Sequence, residues 1–165
     1  NALHRVGLDL NSATRLATRW SSLVEDAFWL QLHTAFADAV TALTRLCNAG
    51  VECHLITART RTELLAHQLR RLHLDRIFHA VRVVDPEQGT KAKAAYLKAK
   101  RCEAFFGDSE RDLMAALEAG IPHYAVASGQ RDAAMLRRAG ASRVFEGLGQ
   151  AVRAAQGWVE DDQPA

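Results

Sequence analysis

The sequence predicts an α/β domain with a mostly parallel sheet covered by helices on both faces. Three observations carry this. Short β-branched or apolar runs alternate with longer amphipathic runs along nearly the whole chain. Gly, Pro and Asp punctuate the joints between them. The length of 165 residues, 48% of them hydrophobic, suits one domain with one core.

The first strand is expected over Arg5 to Leu10. A helix is expected over Thr34 to Asn48, where Phe36, Val40, Leu43 and Cys47 share one face and Gly50 marks the stop. Val51 to Ile56 reads as the second strand. Thr60-Arg-Thr-Glu63 reads as a capping box that opens a helix to about Leu72. Ala80 to Val84 is a third strand, ended by Asp85-Pro86. Thr90 to Lys100 is helical, Glu103 to Phe106 a fourth strand, and Glu110 to Glu118 a helix stopped by Gly120-Ile-Pro122. His123 to Ala127 is a fifth strand. A helix near Asp132 to Ala139, a short strand at Arg143 to Phe145 and a last helix to about Gln156 complete the pattern. The stretch from Thr14 to His33, with Trp20, Phe28 and Trp29, is the least regular and reads as an arm or loop with a short helix. A single domain is expected over residues 1–157, with a polar tail over 158–165.

Composition narrows the function classes. The formal net charge of +2 is too small to indicate nucleic acid. The pairs Arg59/Arg61, Arg70/Arg71 and Arg137/Arg138 read as solvated helix faces. No apolar run is long enough to cross a membrane. Cys47, Cys53 and Cys102 form no CxxC and read as buried free thiols, pointing to a reducing, cytoplasmic setting. The chain begins with Asn1 rather than Met, so a periplasmic origin stays open.

In parallel sheets, ligands bind beyond the carboxyl ends of the strands. Asp9, Thr57, Lys91 and Asp108 fall near such ends in that order, and Asp112 lies one helical turn past Asp108. Carboxylates meeting at one edge repel unless a cation sits between them, and hard oxygen donors in that number suit Mg²⁺. A hydroxyl at Thr57 and an ammonium at Lys91 would hold phosphate oxygens. Asp9 would attack phosphorus to form an aspartyl-phosphate. Each residue also has a plainer reading. Asp9 caps a turn, Thr57 ends a strand, Lys91 sits on an exposed helix, and Ser109-x-x-Asp112 is a capping box.

Together these residues resemble the four motifs of the haloacid dehalogenase (HAD) superfamily, in their proper order. Val6-Gly-Leu-Asp9-Leu-Asn11 resembles the first, His54-Leu-Ile-Thr57 the second, Lys91 the third and Gly107-Asp108-Ser-Glu-Arg-Asp112 the fourth. Among subgroups, class B acid phosphatases are the most similar, through Phe28-Trp29, Thr57-Ala58-Arg59, Gly89-Thr-Lys91 and Phe105-Phe-Gly107-Asp108-Ser109. The resemblance implies a Rossmann-like three-layer sandwich and a Mg²⁺-dependent phosphomonoesterase. Asp9 would be nucleophile and metal ligand, and Asn11 would offer its backbone carbonyl to the metal. Asp108 would ligate the metal with Asp112 in support. Thr57, Ala58, Arg59, Lys91 and Ser109 would bind substrate. Lys93, two positions on, is an alternative to Lys91.

One departure matters. The family's second aspartate, its general acid and base, is Asn11 here, and the Thr often found two residues further on is Ala13. Loss of such a group typically costs about 10² to 10⁴ in rate. The alternative function is therefore an inactive HAD-like module that binds a phosphorylated ligand or a partner protein. The segments after the first and second motifs look too short for a sizeable cap. An open site would admit a phosphorylated small molecule or macromolecule, or a homo-oligomer partner would close it.

Two other readings are set aside. A receiver domain runs acidic pair, Asp, Thr, Lys along the chain, unlike the order here. Gly147-Leu-Gly149 lacks the third glycine and the acidic partner of a dinucleotide loop. The seven histidines show no metal-ligand spacing, and His54 reads as a hydrogen-bonded core residue.

Overall fold

The computed structural model describes Gly7, residues 9–129 and residues 131–157. Three helices come first: α1 (Leu10–Val24), α2 (Ala27–Leu32) and α3 (Ala37–Asn48). Strands and helices then alternate: β1 (His54–Thr57), α4 (Thr62–Arg71), β2 (Ala80–Val83), α5 (Gly89–Ala99), β3 (Phe105–Gly107) and α6 (Glu110–Ala119). β4 (His123–Val126), α7 (Ala133–Arg138), β5 (Val144–Phe145) and α8 (Leu148–Ala155) follow. Every strand pair among the described residues is parallel, as the alternation predicts. β1 pairs with β2, setting Thr57 opposite Val83. β3 pairs with β4, and β4 with β5, setting Gly107 opposite Ala125 and Val126 opposite Phe145.

Side-chain alternation explains how these strands are covered. All four residues of β4 are buried, as a strand with helices on both faces requires. Tyr124 and Val126 pack on Ala151 of α8. Ala125, pointing the other way, packs with Leu113 of α6 and Leu136 of α7. A second core joins Ile56 of β1 and Val84 to Ala94 and Leu97 of α5 and Ala115 of α6. Helix α6 stops where predicted. Gly120 adopts a left-handed φ of 74°, and the amide of Ile121 returns to the carbonyl of Ala116 at 3.1 Å.

Several expectations are corrected. Leu10 opens α1 rather than closing a strand, and the rest of the expected first strand falls on or beside residues outside the described ones. The Thr14–His33 stretch is two helices rather than an irregular arm. Its apolar residues at 10, 13, 16, 17, 20, 23 and 24 fall on one helical face. Asp9 accepts the Ser12 amide and Asp26 the Phe28 amide, capping the two helix starts. In α3 the packed face is Ala42 and Leu46, while Phe36 and Cys47 are exposed. Thr60 does not cap α4; Arg61 occupies that position without a side-chain cap.

Thr60 is instead engaged from outside its helix. Glu25, at the end of α1, accepts the amides of Thr60 and Arg61, both at 2.9 Å, and the Thr60 hydroxyl at 3.0 Å. Burial opposes ionisation of Glu25. The two amides, the hydroxyl and the nearby Arg59 charge outweigh it and hold this carboxyl below its ordinary value. Arg71 of α4 donates to the carbonyls of Leu30 and His33, fastening α2 as well.

Two outcomes follow for stability. Leu136→Ala removes a side chain that is 1% exposed and should cost about 2–5 kcal/mol in urea unfolding. Leu117→Ala, 62% exposed, should stay within about 0.5 kcal/mol. Glu25 has a lowered folded pKa, so its contribution is complete above its ordinary 4.5 and is lost as pH falls through the folded value. Glu25→Gln should speed hydrogen exchange at the Thr60 and Arg61 amides at pH 7. That difference from wild type should shrink on acidification below 4.5.

Candidate active site

The carboxyl ends of β1 and β3 open on one cleft of about 640 Å³. Thr57, Ala58 and Arg59 enter it from the end of β1. Asp108, Ser109 and Asp112 enter from the end of β3 and the first turn of α6. Gly89 and Lys93 come from the start of α5, and Glu110, Arg111 and Arg131 form a charged rim.

The wall behind Asp108 is a closed polar cluster. Asp112 is buried, at 5% exposure, and both its oxygens are used. Lys93 Nζ donates to Oδ1 and Ser109 Oγ to Oδ2, each at 2.6 Å. Ser109 also caps α6 by accepting the Asp112 amide, which is the first half of the predicted capping box; the Asp112 carboxylate takes the Ser109 hydroxyl and Lys93. Gly107 makes room for this carboxylate, since a Cβ there would lie 2.5 Å from Cβ of Asp112. Gly129, in the loop after β4, passes equally close to Asp108. A Cβ at this glycine would meet Asp108 Oδ2 at 1.8 Å.

The other walls are anchored separately. The amide of Arg59 donates to Thr57 Oγ1 at 3.3 Å, and its guanidinium donates to Gln68 Oε1 at 2.8 Å. Arg131 Nε donates to Glu110 at 3.0 and 3.1 Å. Arg111 donates to the carbonyl of Pro86 at 3.0 Å.

Thr57, Ala58, Arg59, Asp108, Ser109 and Asp112 are thus brought together as expected. Three predicted residues are not. Lys91 is exposed on α5 and does not line the cleft; Lys93 does. Gly89 and Leu97 are buried, and Lys93 lies four residues from each, on the same helical face. Carrying that spacing through α5 would have selected Lys93 from the sequence. Asp9 and Asn11 are exposed at the start of α1 and do not line the cleft either. Asp9 Oδ1 accepts the Ser12 amide at 3.0 Å. Hydrogen bonds from the Ser12 side chain and backbone hold its carboxyl below its ordinary value.

As arranged, the described residues do not by themselves gather an octahedral Mg²⁺ shell. Among the described residues no group of three His, Cys, Asp or Glu side chains is placed to hold a metal. Asp112 is neutralised by Lys93, and Asp9 stands outside the cleft. Sequence reading gave no role to Glu110, although it lies within the fourth motif, and missed Gly129 and Arg131, which come from the segment after β4. The thiol of Cys47 is exposed, against expectation; Cys53 and Cys102 are half-buried, and burial raises both pKa values. His54 is hydrogen-bonded, its Nδ1 lying 2.8 Å from the Tyr96 hydroxyl. Gly147-Leu-Gly149 receives an internal anion, with the Gly149 amide donating to Asp38 Oδ2 at 3.0 Å. No helix of the described residues is long and apolar enough to cross a membrane.

No curated protein matches the chain by sequence. Solved structures do resemble it. A predicted phosphatase from Clostridium acetobutylicum is 17% identical with a TM-score of 0.71, over 94% of this chain and 74% of that one. A haloacid dehalogenase-like hydrolase from Streptococcus pneumoniae is 15% identical with a TM-score of 0.71, with the same 94% and 74% coverage. Protein Tyrosine Kinase A from Mycobacterium tuberculosis is 19% identical with a TM-score of 0.68, again over 94% and 74%. At these identities the likeness establishes the α/β fold, which hosts more than one chemistry. The model of the haloacid dehalogenase-like hydrolases matches residues 8–126, from just before Asp9 to the end of β4, and the chain belongs to that family.

Proposed function

We propose that this chain is a Mg²⁺-dependent phosphomonoesterase of the HAD type, acting on phosphorylated substrates at the cleft between β1 and β3. The observation that carries this reading is the convergence of Thr57, Arg59, Lys93, Ser109 and Asp108 on one cleft at the carboxyl ends of parallel strands. A hydroxyl, a guanidinium and an ammonium around one cleft suit the oxygens of a phosphoryl group. The segment Thr57-Ala58-Arg59 is the part most like a class B acid phosphatase. Lys93 replaces Lys91 in this reading, because its ammonium lies in the cleft.

Asp9 is the proposed nucleophile. Its carboxyl is held ionised by Ser12, the form in which an oxygen attacks phosphorus. Attack forms the aspartyl-phosphate bond and breaks the bond to the leaving oxygen; water then releases phosphate and restores the carboxylate. This requires Asp9 to reach the cleft from its place at the start of α1. Family hydrolases generally use Mg²⁺, and in this chain the ion would need Asp9 beside Asp108.

Asn11 shapes the substrate class. An amide neither protonates a poor leaving group nor takes a proton from water. Aryl and acyl phosphates need little protonation and are the expected substrates; alkyl and sugar phosphates should turn over very slowly. Only α4 and β2 intervene between β1 and α5 among the described residues, which supports a cleft open on that side to bulky substrates.

The decisive assay compares wild type, Asn11→Asp and Asp9→Asn on aryl phosphates with Mg²⁺ present. Asn11→Asp should raise turnover about 10-fold or more, and the gain should vanish when Asp9 is also changed. Mg²⁺ should raise the melting temperature by mass action, and Asp108→Ala should remove most of the rise. An Asn11→Asp protein that binds metal but stays inert on every phosphate would favour an inactive module that binds phosphorylated ligands or partners. The two lysines should also separate. Lys93→Met leaves a buried carboxylate unpaired and should destabilise the fold by about 3–5 kcal/mol. Lys91→Met should change urea unfolding by less than about 0.5 kcal/mol.

A further inference from the structure

Arg59 reaches the cleft on a long side chain, and one buried residue holds its guanidinium. Gln68 of α4 is 7% exposed, an uncommon place for an amide side chain. Its Oε1 accepts from Arg59 Nη1 at 2.8 Å. That commits the oxygen and leaves Nε2 as the donor facing His33 Nδ1 at 3.0 Å. His33 Nδ1 must then accept, so neutral His33 carries its proton on Nε2. Both ends of the amide are used, and a continuous chain of hydrogen bonds runs from the end of α2 through Gln68 to the cleft.

We propose that Gln68 is a positioning residue: it fixes the Arg59 guanidinium toward the cleft and thereby sets the cleft's affinity for a phosphoryl anion. The inference rests on reading the cleft as an anion site. An unheld arginine samples many rotamers, and an anion that binds it must freeze them. A guanidinium already held does not impose that cost on binding. The choice of partner is also telling. Arg131, at the rim, is paired with the carboxylate of Glu110, which neutralises it. Gln68 accepts from Arg59 without cancelling its charge, and Glu25, which feels that charge, takes its hydrogen bonds from Thr60 and Arg61 instead, so the guanidinium keeps its donors for a ligand.

A purely structural role for Gln68, stapling α4 to α2, predicts loss of stability and nothing particular to Arg59. The test uses the whole chain, with inorganic phosphate as the probe. Phosphate affinity is measured by titration calorimetry, and rotation of the Arg59 guanidinium by side-chain NMR. Gln68→Met has a similar shape without the polar end. It should free the Arg59 guanidinium and weaken phosphate about 5- to 20-fold, close to the effect of Arg59→Ala. Adding Gln68→Met to Arg59→Ala should cause no further loss. Gln68→Glu should keep the guanidinium held yet still weaken phosphate, because it neutralises the charge.

The proposal is overturned if Gln68→Met leaves Arg59 rotation and phosphate affinity unchanged, or if its loss adds fully to that of Arg59→Ala. Should Gln68→Met fail to fold, Gln68→Glu decides, and wild-type phosphate affinity in that variant overturns the proposal. If wild type binds no phosphate while Arg59 rotation still depends on Gln68, the anion-site reading falls and takes the affinity claim with it. The Gln68–Arg59 coupling would survive that result, so the two failures are distinguishable.

Discussion

A carboxylate taken out of water needs its charge answered and its oxygens bonded, and at Asp112 this requirement organises half the molecule. Lys93 supplies the opposite charge and Ser109 the second hydrogen bond, each at 2.6 Å. Those two partners come from α5 and from the turn between β3 and α6. The ion pair therefore ties α5 to the start of α6 and the end of β3, beside the apolar contact of Ala94 and Leu97 with Ala115. Gly107 is part of the same constraint, because any side chain there would occupy the space of the carboxylate. A buried pair of this kind is weak evidence for net stability but strong evidence for a specified geometry, since removing either partner strands the other charge. What it specifies here is the cleft wall that carries Asp108.

The opposite wall depends on a second, softer joint. Helices α1 and α2 bury little apolar surface. Trp20, Phe28 and Trp29 remain 63%, 61% and 47% exposed, although Leu30 is buried. Polar contacts supply much of the attachment, through Glu25 on the Thr60 and Arg61 amides, Arg71 on the carbonyls of Leu30 and His33, and Gln68 on His33. All three land on α4 or the loop before it, the loop that follows Thr57 and bears Arg59. The arm and the β1 side of the cleft are thus joined through hydrogen bonds to one short stretch of chain. The Glu25 joint is exposed and more sensitive to pH and salt than the buried Asp112 cluster.

How much of this was legible in the sequence depends on which force decided each element. Strands β1 to β5 and helices α4 to α8 were readable, because hydrophobic period and turn residues agree there with burial. Gly120 and Ser109 are local signals with local causes. The face of α3 was misjudged because Ala42, a small residue, is buried while Phe36, a large one, serves as the helix's exposed cap. Lys93 was displaced by Lys91 because a motif was matched where helical spacing should have been followed. Gln68 and Glu25 had no signal at all: an amide within a helix and an acid at a helix end look like solvated surface until the fold sets Arg59 and the Thr60 amide against them.

Asp9 is where local and family-level signals compete. Locally, Asp9, Ser12 and an apolar face running to Val24 specify a capped amphipathic helix, and the structure obeys them. At the level of the family, the match begins at residue 8 and so takes in Asp9 at its very start. These demands are compatible in one respect. Capping uses Oδ1, bonded to the Ser12 amide, and the amino end of a helix favours the ionised carboxylate that a nucleophile must be. They conflict in position, since β1 and β3 carry their end groups into the cleft while α1 holds Asp9 beside it. The charge of Asp112 is already answered by Lys93, so the cleft as arranged has no surplus of negative charge to demand a metal. Bringing Asp9 next to Asp108 would create that surplus, with two carboxylates repelling at short range. On the proposed reading, metal binding and arrival of Asp9 at the cleft would therefore be one coupled event, each supplying what the other needs.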